Sequence, residues 1–253
     1  MSKERLDLLL VQHGVASSRS LAQKLIMAGV VLVNSQVVYK PSQTFDKNVV
    51  IKLKEKPRYV SRGGLKLEKA LLEFGFEDLS GRICVDVGAS TGGFTDCMLQ
   101  HHAKKIYAID VGYGQIHQSL RDCLKVVVIE KTNVRDINSF EDRISLVTID
   151  VSFISLKTVL PIIQTWVDER EIDVIALVKP QFEAGRKVAA KGKGVIRDED
   201  TRQEILADLI GFIQSIGITV NAHTDSPISG PKGNKEFLLY LTIPVSQPNS
   251  SRT

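Results

Sequence analysis

A strand that runs into a glycine-rich corner and out again into a helix constrains this chain more than any other feature. Residues 83 to 87, Ile-Cys-Val-Asp-Val, are apolar apart from Asp86, and Phe94, Cys97 and Met98 then take up helical spacing. The segment Gly88-Ala-Ser-Thr-Gly-Gly93 therefore falls on a strand-to-helix turn. Glycine in such a corner lets backbone N–H groups approach a ligand closely, at the positive end of a helix dipole. The bland alternative is a tight structural turn.

Spacing narrows the choice of ligand. Gly88, Gly92 and Gly93 read G-x-x-x-G-G rather than the G-x-G-x-x-G of a dinucleotide site, and no lysine follows them as a P-loop requires. Asp86, just ahead of the turn, suits the cationic amine of an amino-acid moiety. Asp110 closes the next apolar run, Lys105-Ile-Tyr-Ala-Ile-Asp110, where a ribose diol is gripped in such folds. These residues fit S-adenosylmethionine better than a nicotinamide cofactor. Ser90, Thr91 and Phe94 complete the turn's candidate contacts, with Phe94 alternatively a core residue. Asn133, in Glu130-Lys-Thr-Asn-Val-Arg135, stands where an adenine contact is expected. Asp110 and Asp136 have a second reading as caps or turn residues.

From residue 83 onward, short apolar runs alternate with helical patterns, which implies a mostly parallel α/β sheet. Strands are predicted at 83 to 87, 105 to 110, 126 to 129, 145 to 150, 173 to 178, 217 to 223 and 236 to 243. The last two are joined by Ser226-Pro-Ile-Ser-Gly-Pro-Lys-Gly-Asn234, too short for a crossover helix, so the final strand should run antiparallel to its neighbour.

The first 50 or so residues read differently, as a small helix-helix-hairpin unit. Leu6, Leu9 and Leu10, then Leu21, Ala22, Leu25 and Ile26, keep helical spacing, with Ser17 or Ser18 as a cap between them and Gly29 as a stop. Val30 to Val33 and Val37 to Tyr39 flank Asn34-Ser-Gln36 as a hairpin. A basic stretch from Lys52 to Arg62 reads as a linker. The expected organisation is 1–58 for the first domain, 59–65 for the linker, 66–245 for the second domain and 246–253 for a disordered tail.

Charge is distributed unevenly along the 253 residues: residues 1 to 66 hold 12 Lys/Arg against 4 Asp/Glu, and the remainder holds 21 against 25. The basic opening segment suggests a polyanionic partner, with RNA or DNA leading. Met1 to Gly14 is interrupted by Arg5, Asp7, Gln12 and His13, unlike a signal peptide, and no apolar run reaches the length of a membrane span, so a cytoplasmic location is expected. Cys84, Cys97 and Cys123 lack C-x-x-C spacing, which argues against zinc and against a disulfide framework.

The residues resemble a known family over nearly the whole chain. Ser18-Arg19, Ala22, Leu25-Ile26, Gly29, Val33-Asn34, Val37 and Lys40-Pro41 resemble the alpha-L RNA-binding module of ribosomal proteins and pseudouridine synthases. The second part is similar to FtsJ-type ribose methyltransferases, a Rossmann-like class I sheet. The two joined through Val60-Ser-Arg-Gly-Gly-Leu-Lys66 resemble the TlyA family of ribosomal RNA cytidine 2′-O-methyltransferases, some members of which are called hemolysins.

The resemblance implies a Lys-Asp-Lys-Glu set for methyl transfer. It falls on Lys66, on Asp150 in Ile149-Asp-Val-Ser-Phe153, on Lys179 in Val178-Lys-Pro-Gln-Phe-Glu183, and on Glu236 in Gly233-Asn-Lys-Glu-Phe237. Ligands of open α/β sheets bind beyond the carboxyl ends of parallel strands, where Asp150 and Lys179 stand, and the amino end of an antiparallel strand starting at Glu236 lies at that same edge. Lys69, one turn from Lys66 on the same helix face, is the alternative first lysine. Desolvation and a second lysine would push a lysine towards the neutral base that a ribose hydroxyl needs, while Asp150 and Glu236 would oppose that shift. In this reading Lys179 is the base, Lys66 and Glu236 position the hydroxyl, and Asp150, also a candidate cofactor contact, orients Lys179 near the cofactor's methyl. Each of the four alone is more often a solvated surface charge.

Arg5, Arg19, Lys24 and Lys40 are candidate phosphate contacts in the basic segment, joined by Arg62 and, in the glycine-containing run from Glu183 to Arg197, by Arg186 and Lys187. The expected partners are ribosomal RNA or ribosomal subunits, with no membrane and a monomer favoured. Two competing readings stand beside this one: an RNA-binding assembly factor with an inactive methyltransferase domain, and a membrane-active hemolysin.

Overall fold

The computed structural model describes residues 3–54, 57–184, 194–230 and 233–245. The chain divides into two compact units, Met1–Pro57 and Arg58–Thr253.

In the first unit, strand β1 (Lys3–Arg5) precedes helices α1 (Leu6–Gln12) and α2 (Arg19–Met27) and strands β2 (Val31–Val33), β3 (Gln36–Val37), β4 (Thr44–Asp46) and β5 (Ile51–Leu53). Ser18, in extended conformation, caps α2 by accepting from the Leu21 N–H at 3.2 Å, as such residues do at an N-cap. The hairpin is tighter than its sequence suggests. Asn34 and Ser35 both take positive φ, forming a two-residue loop, and Gln36 already pairs with Val33. Strands β1, β4 and β5 escaped the sequence pattern because three residues each are too few to show alternation. Ile51–Leu53 pairs with β2, so part of the basic stretch expected as linker is sheet.

Leu6, Leu9, Leu10, Ala22, Ile26 and Val31, all 0% exposed, fill the core of this unit. Asp7 is buried among them. Its carboxylate accepts from Arg5 Nε and Nη2, Arg19 Nε and Gln23 Nε2 at 2.9 to 3.0 Å, so the burial is fully compensated. The Arg5 guanidinium does most to hold the Asp7 carboxyl well below the usual range.

In the second unit the elements are α3 (Gly63–Glu73), β6 (Ile83–Val87), α4 (Gly93–Gln100), β7 (Lys105–Ile109), α5 (Gln118–Arg121), β8 (Val126–Ile129), β9 (Leu146–Ile149), α6 (Leu156–Gln164), β10 (Ile172–Val178), α7 (Pro180–Glu183), α8 (Glu199–Ser215), β11 (Thr219–Asp225) and β12 (Phe237–Ile243). Residues 59–65, expected as a linker, are packed structure here: Tyr59 is 3% exposed and α3 begins at Gly63. The expected tail, 246–253, lies outside the described residues.

The sheet order is β11-β12-β10-β9-β6-β7-β8. Strand β12 is antiparallel to both its neighbours, as the short link demands, and is inserted between β10 and β11. β11 begins two residues later than predicted and runs through Thr224 and Asp225, because an edge strand with one wet face tolerates polar residues there. Apolar side chains from both faces of the sheet pack under helices. Val85, Val147, Val174 and Leu239 meet α6 and α8 on one side, while Cys84, Leu146, Leu177 and Leu238 meet α3 and α4 on the other. The central strands are therefore continuous apolar runs, and Asp86 is the exception within β6. This topology brings the carboxyl ends of β6, β9 and β10 and the amino end of β12 to one sheet edge. Among the described residues, no helix is long and apolar enough to cross a membrane.

Candidate active site

The glycine turn lies against the end of β9. Gly88 has φ +85°, and a Cβ added there would stand 2.7 Å from the Asp150 carbonyl oxygen. Gly93 opens α4, and a Cβ there would stand 2.2 Å from Ser61 Oγ and 2.9 Å from the Gly64 nitrogen. Neither position has room for a side chain. At the start of α4 the Asp96 N–H bonds the Gly92 carbonyl at 2.8 Å and the Thr95 N–H bonds the Asp86 carboxylate, which leaves the N–H groups of Gly93 and Phe94 to face a ligand.

A cavity of about 870 Å³ opens at this edge, and Gly88, Ser90, Thr91, Gly93 and Phe94 contribute to its lining. Lys66, Asp150, Lys179 and Glu236 line it as well. They form two ion pairs. Lys66 Nζ donates to Glu236 Oε2 at 2.5 Å, and Lys179 Nζ lies 2.6 Å from Asp150 Oδ1 while donating to Ser152 Oγ at 2.8 Å. Lys66 is 7% exposed, Lys179 9% and Glu236 1%, so the Lys66–Glu236 pair is withdrawn from water, whereas the Asp150 side chain of the other pair is 23% exposed. Burial raises the Glu236 carboxyl above the usual range; Lys66 and then Lys179 oppose the rise. The structure separates the two candidate lysines of α3: Lys69 turns outward, donating to the Asp225 carbonyl and pairing with Glu73.

The cavity suits a ligand with both charged and apolar parts. Among the described residues, Glu236 Oε1 and Gln181 Oε1 are buried without a hydrogen-bond partner, which is costly unless a bound molecule supplies donors. Together with the glycine turn in the same lining, the residues present fit the amino-acid end and sulfonium of S-adenosylmethionine.

Four residues expected at the cofactor do not line the cavity. Asp86 is 0% exposed and sits beneath the turn, accepting from Thr95 Oγ1 at 2.6 Å and Thr148 Oγ1 at 3.3 Å. Gly92 faces Leu120, in the left-handed conformation that starts α4. Asp110 accepts the backbone N–H groups of Ser90 and Gly112 at 2.8 and 2.7 Å, bracing the turn from behind. Asn133 accepts from the Arg135 N–H as a cap. Sequence spacing places such residues near a ligand but cannot say which way they turn.

Burial pushes the Asp86 carboxyl up to about 7; the Thr95 bond opposes this and the Asp150 charge adds to it. A carboxyl raised in the folded state contributes most below its unfolded value near 4, and the contribution is lost as pH rises through about 7. Asp86→Asn removes that titration. Thermal unfolding from pH 5 to pH 8 should therefore show wild type losing stability relative to the variant as pH rises; parallel curves would contradict it.

Of the candidate RNA contacts, Arg5 and Arg19 are engaged with Asp7, whereas Lys24 and Lys40 are exposed without such a role. Arg62 is exposed at the cavity rim, donating to the Ser229 carbonyl at 3.1 Å. Arg186 and Lys187 lie outside the described residues.

Sequence reading missed an aromatic pair at the cavity. Phe153 is 90% exposed with φ +66°, and its ring stands 5.0 Å from that of Phe182. A signal was present: each phenylalanine follows a charged strand-end residue by three positions, Asp150 in one case and Lys179 in the other. Ser152 and Gln181, between them, also line the cavity.

The mostly parallel sheet with an inserted antiparallel strand, and the glycine turn at its ligand edge, define a Rossmann-like methyltransferase. Residues 59–243 match the FtsJ-like methyltransferase family and residues 4–51 match the S4 domain. The chain is 47% identical over 96% of its length to YqxC of Bacillus subtilis, named as a candidate rRNA methyltransferase and covered over 86%. It is 39% identical, over 99% of its own length and 94% of the relative, to the 16S/23S rRNA (cytidine-2′-O)-methyltransferase TlyA of Mycobacterium tuberculosis. A solved structure of a candidate hemolysin from Streptococcus thermophilus superposes with a TM-score of 0.72 at 42% identity, covering 98% of this chain and 90% of that one. The chain belongs to the TlyA family of FtsJ-like methyltransferases.

Proposed function

We propose that this protein transfers the methyl group of S-adenosylmethionine to the 2′-hydroxyl of a cytidine in ribosomal RNA. One observation carries the reading: two ion pairs, Lys66–Glu236 and Lys179–Asp150, line the same cavity as the glycine turn. The cofactor supplies an electrophilic methyl on a sulfonium. Gly88, Ser90, Thr91 and Gly93 would hold its amino-acid end, with Asp110 bracing the Ser90 backbone. Lys179 would act as the base once its ammonium has given up a proton to water: the neutral amine would then accept the hydroxyl proton as a bound S-adenosylmethionine supplied its methyl to the ribose oxygen, and the ammonium so re-formed would pair with Asp150. Lys66 and Glu236 orient the hydroxyl, with Glu236 Oε1, which has no partner among the described residues, accepting from the ribose. The exposed Phe153 ring offers a face on which an unpaired base can stack, as single-stranded RNA readers commonly do.

The S4 domain supplies affinity for ribosomal RNA, chiefly through phosphates, with Lys24 and Lys40 as the freest contacts. The deciding experiment is methyl transfer from labelled cofactor to unmodified ribosomal subunits, with the product nucleotide mapped. A methyl group on a base instead of a ribose would defeat the mechanism.

A further inference from the structure

Glu183 ends α7 and contributes nothing to the cavity lining, yet both its carboxylate oxygens are held by another helix. Oε2 accepts from Ser155 Oγ at 2.5 Å, and Oε1 accepts from the Leu156 N–H at 2.9 Å. Ser155 is itself the N-cap of α6, its Oγ accepting from the Lys157 N–H at 3.0 Å. A residue 28 positions away thus completes the cap, satisfying a donor that α6 cannot satisfy alone.

What this cap joins gives it meaning. The segment from Asp150 to Ser155 carries Asp150, Ser152 and Phe153, and the segment from Lys179 to Glu183 carries Lys179, Gln181 and Phe182. They meet first at the strand ends, through the Lys179–Asp150 pair and the Lys179–Ser152 bond. They meet again at the phenylalanine pair, and a third time at Glu183. The first two contacts use groups proposed to handle substrate. Glu183 is the contact that does not. Phe153, whose φ of +66° is unfavourable for an aromatic residue, needs its loop held at both ends.

We propose that Glu183 is a positioning residue for methyl transfer, clamping the loop after β9 so that Asp150, Ser152 and Phe153 keep their places relative to Lys179. This rests on the methyltransferase reading above. Burial raises the Glu183 carboxyl above its usual range, opposed by the Ser155 and Leu156 bonds and by Lys157, with Asp208 adding to the rise.

The test compares full-length wild type, Glu183→Ala, Glu183→Gln and Ser155→Ala for kcat and KM on unmodified ribosomal subunits, for cofactor affinity by calorimetry, and for amide hydrogen exchange. Displacing reacting groups by about an ångström costs about 100-fold in rate, so Glu183→Ala should lower kcat by about 10- to 100-fold. Cofactor affinity should stay within about threefold, because the glycine turn is untouched. Glu183→Gln keeps a carbonyl for the Leu156 N–H and should recover most of the rate. Ser155→Ala removes one of the two bonds and should fall between, which keeps the idea testable should Glu183→Ala not fold. A Glu183→Ala enzyme with wild-type kcat, or one losing cofactor affinity in step with kcat, would overturn the clamp. Exchange over 150 to 156 needs no activity: faster exchange in Glu183→Ala supports the clamp even if wild type methylates no RNA, and unchanged exchange refutes it.

Discussion

Lys179→Ala should retain cofactor binding and thermal stability while losing about 10²- to 10⁴-fold in methyl transfer, the usual worth of a positioned base. The lysine reaches the cavity from the end of β10, with Asp150 and Ser152 as its polar partners. Its removal leaves Asp150 near solvent, since that side chain is 23% exposed. Lys66→Ala makes the contrast. There the deleted ammonium leaves Glu236, fully buried in its side chain, without its 2.5 Å cation. Breaking a buried pair in this way typically costs about 3–5 kcal/mol. Single-turnover assays with saturating cofactor, run beside thermal unfolding, would read both effects. A Lys179→Ala enzyme keeping more than about a tenth of the wild-type rate would remove this lysine from the role of base.

Gly88→Ala should disable the cofactor site. Its φ of +85° is strained for any side chain, at roughly 1–3 kcal/mol. The new methyl would also meet the Asp150 carbonyl oxygen at 2.7 Å, its carbon at 3.0 Å and Val151 Cα at 3.3 Å. All three are backbone atoms, so no rotamer change relieves the clash, and the ends of β6 and β9 must separate. Cofactor affinity should fall at least about tenfold, or about 1.4 kcal/mol. Gly75→Ala is the control: φ there is +77° with nothing within 4 Å of the added carbon, so it bears the conformational cost alone. Equal losses of cofactor affinity in the two variants would show that the clash at Gly88 is irrelevant.

Much of the second unit was legible from local pattern. Ile83 to Val87 and Val126 to Ile129 are strands at the residues their apolar runs mark. The antiparallel course of β12 followed from a link too short for a crossover. The first unit was read less completely, since β1, β4 and β5 are three residues each. At the site, residue types were informative and orientations were not. Asp86 and Asp110 stand next to the turn in sequence, yet one is buried beneath it and the other braces it through backbone N–H groups.

By itself the sequence determined the alternation of strands and helices, the glycine corner and the basic charge of the opening segment. All of these depend on neighbours within a turn or two of chain. Tertiary structure alone decided that β12 lies between β10 and β11, that Lys66 and not Lys69 meets Glu236, and that Phe153 stands against Phe182. The physical reason is range. The Lys66–Glu236 bond spans 170 positions, and two lysines on one helix face differ only in which of them a distant, buried carboxylate reaches.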